Sequence, residues 1–460
     1  MIEGLKPYTE YKDSGQEWLG KVPAHWRTPR LKTVLREKDA RSLNGSGLLL
    51  SLTRNRGLIA RSDMTDKIHS ARTLAGYKLY EPGEIVMNRM QAWSGMFGAG
   101  NKPGLVSPDY AVFRLLEDDL VNLLLSRLKT PDLVSQFALE SKGIGSGFNR
   151  LYSDKFGAIA ISLPPPDEQT AIVRFLDHAN RKIDGFIRAK RKLIGLLNEQ
   201  KQAIIHRAVT RGLHPGVPLK PSGIPWLGNI PMHWEARRVK QATRILRGKF
   251  SHRPRNDPSF YDGPYPFIQT GAVAQADKFI TSYKQTLNEK GLSVSKLFPS
   301  GTLVMTIAAN IGDVAILTFE ACFPDSIVGF VPASKLDRDY LYFVFRCMKG
   351  ELLREAPVNT QGNLNVERIG TMWMPLPSLS EQEQIKKYIE SETTPFDTSI
   401  ARTEREIALM QEYRTRLTAD LVTGKLDVRE AAAHLPAPPA AADPTPDEPL
   451  EEIETEEIEA

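Results

Sequence analysis

Cysteine is nearly missing from this 460-residue chain, and the two present, Cys322 and Cys347, are too few for a disulfide framework and lack metal-ligand spacing. They read as packing residues in a reducing compartment. No apolar run approaches the length of a membrane-spanning helix, and no apolar stretch follows the opening Met1-Ile2-Glu3-Gly4-Leu5-Lys6-Pro7. That predicts a soluble, cytoplasmic protein. Catalytic signatures are missing as well. There is no Gly-x4-Gly-Lys-Ser/Thr loop for ATP and no Asp/Asn-Pro-Pro-aromatic tetrapeptide of the amino-methyltransferase kind. Phe97-Gly98-Ala99-Gly100 has the wrong spacing for a cofactor loop and reads as a turn. His25 and His233 have no Cys, His or carboxylate constellation beside them, so they read as hydrogen-bonded structural histidines and no metal site is expected. Asp132, Glu140 and Lys142 have the residue types of a metal-dependent nuclease site, but they crowd into one polar helix without a counterpart later in the chain. A nuclease on these three residues is one alternative reading; a coiled-coil scaffold without sequence-specific DNA binding is another.

Charge is present but unevenly placed. The net +5 conceals ten acidic residues and no Lys or Arg in 430–460, which leaves 60 basic against 45 acidic residues, or +15, in the remainder. Such an excess favours a polyanionic partner. The Ala-, Pro- and Glu-rich stretch from Ala431 to Ala460 is expected to be disordered.

The chain is dominated by a duplication. From Asp167 to Gly212, apolar residues recur at Ile172, Leu176, Ala179, Ile183, Ile187, Ile194, Leu197, Ile204 and Ala208, with Lys190 and Lys201 filling two steps of a mostly 4-3 spacing. This is a helical stripe narrow enough for a coiled-coil seam. Shifted by 213 positions, the stripe returns as Ile385, Ile389, Glu392, Phe396, Ile400, Ile407, Met410, Leu417 and Leu421, with Thr403 and Arg414 at the polar steps. Proline-rich approaches and Glu168-Gln169 or Glu381-Gln382 open the copies, and Val209-Thr210-Arg211-Gly212 or Val422-Thr423-Gly424 close them. Thr394-Pro395 predicts a short helix, a kink or turn, and then a longer helix in the second copy.

A second motif is also written twice. Ser14-Gly15-Gln16-Glu17-Trp18-Leu19-Gly20-Lys21-Val22-Pro23-Ala24-His25-Trp26 returns 208 residues on as Ser222-Gly223-Ile224-Pro225-Trp226-Leu227-Gly228-Asn229-Ile230-Pro231-Met232-His233-Trp234, and holds four of the six tryptophans. It reads as a structural opening in which Trp anchors on a core. Between opening and helix lie about 140 residues of short apolar runs broken by Gly, Pro, Asn and Asp, the texture of an irregular α+β domain. Gly83 to Met87 falls against Gly301 to Met305, Pro108-Asp109 against Pro324-Asp325, and Asn149-Arg150-Leu151 against Gly362-Asn363-Leu364. The scaffolding recurs while the polar loop residues differ.

Two divergent domains, each opened by an x-Pro-x-His-Trp segment and closed by a Leu-Pro-led Glu-Gln helix ending in Val-Thr, resemble the specificity subunit of a type I restriction-modification system over residues 14 to 427. The resemblance implies an α+β chain with two target-recognition domains separated by two long helices packed as an antiparallel coiled coil. The corresponding bounds are 1–165, 166–213, 214–378 and 379–427; the acidic tail at 428–460 is read from composition and is not part of the resemblance. It implies a non-catalytic reader of a bipartite, asymmetric DNA site, assembled with modification and restriction subunits. S-adenosylmethionine, ATP and Mg would belong to those partners, and none is expected in this chain.

Loop Arg, Lys, Asn, Gln and Thr residues are the expected DNA contacts, because base edges and phosphates need such donors and acceptors. In the first half these are Arg54, Asn55, Arg56, Asn88, Arg89, Gln91, Asn149 and Arg150. In the second they are Arg247, Lys249, Gln269, Thr270, Asn310, Gln361 and Asn363. The helical spacer and partner interface is expected on Ile183, Ile187, Ile194, Leu197, Ile204, Phe396, Ile400, Ile407, Met410 and Leu417.

Overall fold

The computed structural model describes residues 5–64, 73–116, 121–143, 149–355 and 364–436. The chain divides into two compact units, Met1–Arg188 with Ile407–Ala460, and Ala189–Glu406. Among the described residues no helix is long and apolar enough to cross a membrane.

The first unit is built on short strands: β1 (Leu35–Lys38), the hairpin of β2 (Leu50–Thr53) and β3 (Gly57–Ala60), then β4 (Glu84–Asn88), β5 (Phe97–Gly98) and β6 (Tyr110–Leu115). Four of them form an antiparallel sheet of order β1-β6-β4-β5. Period-two alternation buries both faces of this sheet. Ile85, Met87, Ala111 and Phe113 face one core, shared with α1 (Val121–Leu128), α2 (Pro131–Glu140) and α3 (Ser153–Ala158). Val86 and Val112 face another, with Leu50, Leu52 and Leu58 of the hairpin. The long helix α4 (Pro166–Arg211) then begins, contributing Ile172, Phe175, Leu176 and Ala179 to the first core.

The second unit repeats the scheme. Strands β7 (Thr243–Arg247), β8 (Phe279–Ile280), β9 (Leu303–Thr306), β10 (Val314–Leu317) and β11 (Ile327–Pro332) form a sheet of order β7-β11-β9-β10-β8. Its first four members stand in the order of the first unit's sheet, and β8 is added as a parallel edge on β10. Leu303 and Met305 face the core holding α5 (Arg338–Glu355), while Val304 faces the opposite way, as Val86 does. The long helix α6 (Leu379–Val422) follows, with α7 (Arg429–Ala433) behind it.

Within each unit the two long helices run side by side, antiparallel. In the first, Asp184 of α4 pairs with Arg414 of α6. In the second, Lys190 meets Glu406 at 2.6 Å and Lys201 meets Asp397, so one partner steps back along α6 as the other steps forward along α4. Ile183 and Ile187 are buried, whereas Ile194, Leu197, Ile204, Phe396, Ile400, Ile407 and Met410 are half-buried, as two helices alone leave a seam; Leu417 is buried.

Three expectations are corrected. Pro395 does not break the helix: α6 is continuous from Leu379 to Val422. Proline removes one backbone donor, the partner of the Ser391 carbonyl, and the helix runs on through that single lost bond. At the step written as Glu392, the seam instead buries Thr393, four residues from Ile389, and Glu392 is exposed. The composition-based disorder does not begin at Ala431. Residues up to Pro436 are folded, with Ala432 buried and the Leu435 carbonyl accepting from Arg174 at 2.7 Å; residues 437–460 lie outside the described residues.

The opening motifs form matching two-stranded ribbons, Tyr11–Asp13 with Lys21–Pro23 and Leu219–Pro221 with Asn229–Pro231. Their tryptophans are clamped by the ends of the long helices. Trp26 Nε1 donates to Glu168 at the start of α4 (2.8 Å) and lies over Gly424, just past the end of α6. Trp234 Nε1 donates to Glu381 at the start of α6 (3.0 Å) and lies over Gly212, just past the end of α4. Both glycines have positive φ, as helix C-terminal turns require. His25 and His233 are hydrogen-bonded, as expected, but to a carboxylate the sequence did not place there, lying 2.6 and 2.7 Å from the same Glu168 and Glu381.

Candidate nucleic-acid interface

In the first unit the chosen segments converge. Arg54, Asn55 and Arg56 occupy the exposed tip of the β2–β3 hairpin, closed by Thr53 Oγ1 on the Gly57 carbonyl (3.0 Å). Gly57 has φ +68° and its Cα faces the Ala99 carbonyl so closely that a Cβ would lie 2.5 Å from the oxygen, so only glycine turns the chain there. Arg54 reaches the loop joining β4 and β5, donating to Ser94 O (3.0 Å) and Ser94 Oγ (3.1 Å). Asn88 and Gln91 lie on the same loop and bond to each other at 3.1 Å. The Asn149–Arg150 strand runs beside it, with Leu151 N donating to Arg89 O at 3.0 Å. The second unit has the same tie, Leu364 N on Ile307 O at 2.8 Å.

The arginines of this rim differ in what they are free to do. Arg89 is held by Glu37 at 2.5 Å and Ser153 Oγ at 3.4 Å, and Arg150 lies 3.6 Å from Asp109 and over the Tyr152 ring. Among the described residues no carboxylate pairs with Arg54 or Arg56.

In the second unit the chosen residues flank the segment Cys322–Ser326. Arg247 Nε donates to the Asp325 carbonyl (3.4 Å), Lys249 N to that of Phe323 (3.0 Å), and Ile268 N, just before Gln269, to that of Cys322 (2.8 Å). Gly248 is pressed so close to Pro324 that a Cβ would lie 2.1 Å from its carbonyl oxygen. The exposed Gln269 bonds to Gln285, and Thr270 opens a short helix, Thr270–Gln275. Exposed Asn310 sits on the loop joining β9 and β10, anchored by Ile307 N on Ser326 O at 2.9 Å. Gln361 and Asn363 lie outside the described residues. Sequence reasoning missed Arg253 and Arg255, which both reach the Asp325 carboxylate, and in the first unit Lys129 and Trp93. Trp93 carried a signal, as one of two tryptophans outside the duplicated openings.

The nuclease residues are engaged otherwise. Asp132 receives both arms of the buried Arg127 guanidinium, at 3.0 and 2.8 Å. Burial opposes its ionisation, but the Arg127 charge and hydrogen bonds outweigh that and hold the carboxyl below its usual range. Asp132 and Glu140 lie eight residues apart on α2, about 12 Å at the usual helical rise, too far to share a metal ion. Among the described residues no group of three or more His, Cys, Asp or Glu is placed to hold a metal.

Residues 231–408 match the family described as Type I restriction modification DNA specificity domain. Over 308 residues the chain is 23% identical to the type I restriction enzyme MjaVIII specificity subunit of Methanocaldococcus jannaschii, covering 63% of this chain and 68% of the relative. A putative type I restriction enzyme MjaX specificity subunit of the same organism is also 23% identical, over 59% of this chain and 60% of its own length. A chain from a solved structure on complex assembly and conformational transition of the type I R-M system shares the fold, with a TM-score of 0.59 at 16% identity, over 87% of this chain and 98% of that one. Beneath these matches lie two sheets of one strand order, two tryptophan clamps and two long antiparallel helices, and over 63% of its length the chain is similar to a type I restriction enzyme specificity subunit.

Proposed function

We propose that this chain is the cytoplasmic, non-catalytic DNA-reading subunit of a type I restriction-modification complex. Each unit reads one half of a bipartite, asymmetric site in double-stranded DNA. The observation that carries this reading is a sheet order and a tryptophan clamp repeated in both units beneath loops of different chemistry. A repeated frame with divergent loops is what two readings of one kind of ligand require. Arg54, Asn55, Arg56, Asn88, Gln91 and Asn149 supply donors and acceptors in the first reader, with Arg89 and Arg150 at its margin. Arg247, Lys249, Gln269, Thr270, Asn310, Gln361 and Asn363 do so in the second. The two long helices serve as spacer and as the surface for modification and restriction subunits, which bring S-adenosylmethionine, ATP and Mg.

The test is a chimera within the assembled complex. Replacing residues 27–160 with the corresponding segment of a relative is expected to change one half of the methylated sequence and leave the other half intact, as read by mapping methylated adenines across the host genome. Both halves changing together, or DNA cleavage by the isolated chain, would overturn the proposal.

A further inference from the structure

Three segments of the first unit meet around Arg54. The hairpin tip offers Arg54 and Arg56, the loop joining β4 and β5 offers Ser94 beneath the Arg54 guanidinium, and the turn between α1 and α2 offers Lys129, whose Nζ donates to the Arg54 carbonyl at 3.1 Å. Each support is rigid. The α1–α2 turn is pinned by buried Arg127 on Asp132 and on Ser162 Oγ (3.2 Å), and the loop rests on α2, where a Cβ on Gly95 would lie 3.1 Å from Val134.

Most cations nearby are already matched. Lys38 pairs with Glu84 at 2.6 Å, Lys78 with Asp39 at 3.1 Å, Arg89 with Glu37, and Arg127 with Asp132. Among the described residues, Arg54, Arg56 and Lys129 have no carboxylate partner. Lys129 and Arg54 stand close enough that desolvation first, and then the Arg54 charge, lower the Lys129 pKa from its ordinary value. Like charges assembled on rigid supports without a counter-ion are matched by an anion from outside. Trp93, the residue before the Ser94 that Arg54 contacts, is 41% exposed, with its indole N–H turned back to the Met90 carbonyl at 2.9 Å.

We propose that Arg54, Arg56 and Lys129 form a phosphodiester-binding site that grips the DNA backbone, with the Trp93 ring lying against the same strand. This rests on the DNA-reading function above and assigns these residues to affinity rather than discrimination, since backbone contacts carry no base identity. Arg54 is held by Ser94 through two of its N–H groups and keeps others for an anion; Lys129 is a compact charge with two protons to spare.

The experiment is a salt titration of the full chain binding fluorescent duplexes, one of mixed sequence and one carrying the site found by methylation mapping. Lys129→Ala and Arg54→Ala are each expected to weaken both duplexes by the same factor and to lower the slope of log affinity on log salt by about one. Lys129→Arg, which keeps the charge, restores both, so a purely structural role for Lys129 is separated by that variant. Trp93→Phe is expected to remove most of the change in tryptophan emission on adding DNA. Unchanged slopes in the alanine variants, or a loss confined to the cognate duplex, would overturn the phosphate site while leaving DNA reading in place. A wild-type chain that bound neither duplex would overturn the reading itself.

Discussion

The loop joining β4 and β5 and the loop joining β9 and β10 occupy the same place in their sheets and are tied by the same bond, from Leu151 or Leu364, yet they are chemically unlike. The first rests on α2, carries an exposed tryptophan and touches a hairpin whose arginines meet no carboxylate among the described residues. The second has no cation between Ile307 and Gly312, turns through Ala309 at φ +61° and exposes Asn310. Its unit instead gathers Arg247, Lys249, Arg253 and Arg255 on the segment after β7, around Asp325. Alternating apolar residues thus fix where a loop stands, and leave its charge free to move to another segment.

The largest effects should come from the seam, where its buried and half-buried steps can be compared directly. Ile183→Asp places a carboxylate at a buried step and is expected to cost about 3–5 kcal/mol, whereas Leu197→Asp sits at a half-buried step and is expected to cost about 1–2 kcal/mol. Urea unfolding of both variants measures this. Equal losses would show that the middle of the seam is as dry as its end.

Next come the clamps. Glu168 is buried and accepts from Tyr8, His25 and Trp26, so Glu168→Ala strands donors beneath the surface and is expected to cost about 2–4 kcal/mol. Glu381 is partly exposed, and Glu381→Ala should cost about 1–2 kcal/mol. Glu381 also responds to acid. Burial raises the Glu381 pKa, but hydrogen bonds from Trp234, His233 and Ser378 outweigh it and bring it from 4.5 down to about 2. A depressed carboxylate stabilises the fold above its unfolded value, so this contribution is complete above about pH 4.5 and is lost as pH falls toward about 2. Glu381→Gln keeps an acceptor without the charge. Its unfolding free energy should vary less across that window than the wild type's, and an identical pH dependence would remove Glu381 from the acid response.

Both clamps are legible in the sequence as tryptophans eight residues apart and repeated at a fixed offset, and the long helices as a stripe written twice. The carboxylate that each clamp grips is legible only as a helix-opening Glu, because nothing local says that Glu168 lies against Trp26, 142 positions away. The break expected at Pro395 fails because one lost hydrogen bond is a small part of a 44-residue helix with another packed alongside. Arg89 and Arg54 look alike in sequence. Only the sheet pairing of β1 with β6, and of β6 with β4, sets Glu37 beside one, while the other meets Ser94 and, among the described residues, no carboxylate. Lys129 is invisible in the sequence because its partner Arg54 is 75 residues distant.

A smaller contrast lies in the two loops. Ala309 holds a left-handed conformation that costs an L-residue about 1 kcal/mol, so Ala309→Gly should leave stability level or raise it by up to about 1 kcal/mol. Asn310→Ala should leave stability alone and relax discrimination at one base pair, by about 1–3 kcal/mol if its amide reads a base edge. Arg89→Ala should do the reverse, lowering stability by removing the nearer of the two cations on Glu37 while sparing discrimination. Competition binding with single-base variants of the mapped site separates the two, and a discrimination defect in Arg89→Ala would return that residue to the reading surface.

The last contrast lies in the ion pairs that step along the seam. Lys201 is buried and its ammonium is met by Asp397, so Asp397→Ala leaves a desolvated charge and should cost about 1–2 kcal/mol even in high salt, which screens buried pairs weakly. The Lys190 side chain is more open to solvent than that of Lys201, so the charge left behind there stays hydrated. Glu406→Ala should therefore produce a loss that is barely measurable at low salt and absent at high salt. Thermal melts of both variants at two ionic strengths decide the matter. A salt-resistant loss in Glu406→Ala would mean that the polar step at Lys190 is as dry as the one at Lys201, and that the seam fixes its antiparallel register with two buried charges rather than one.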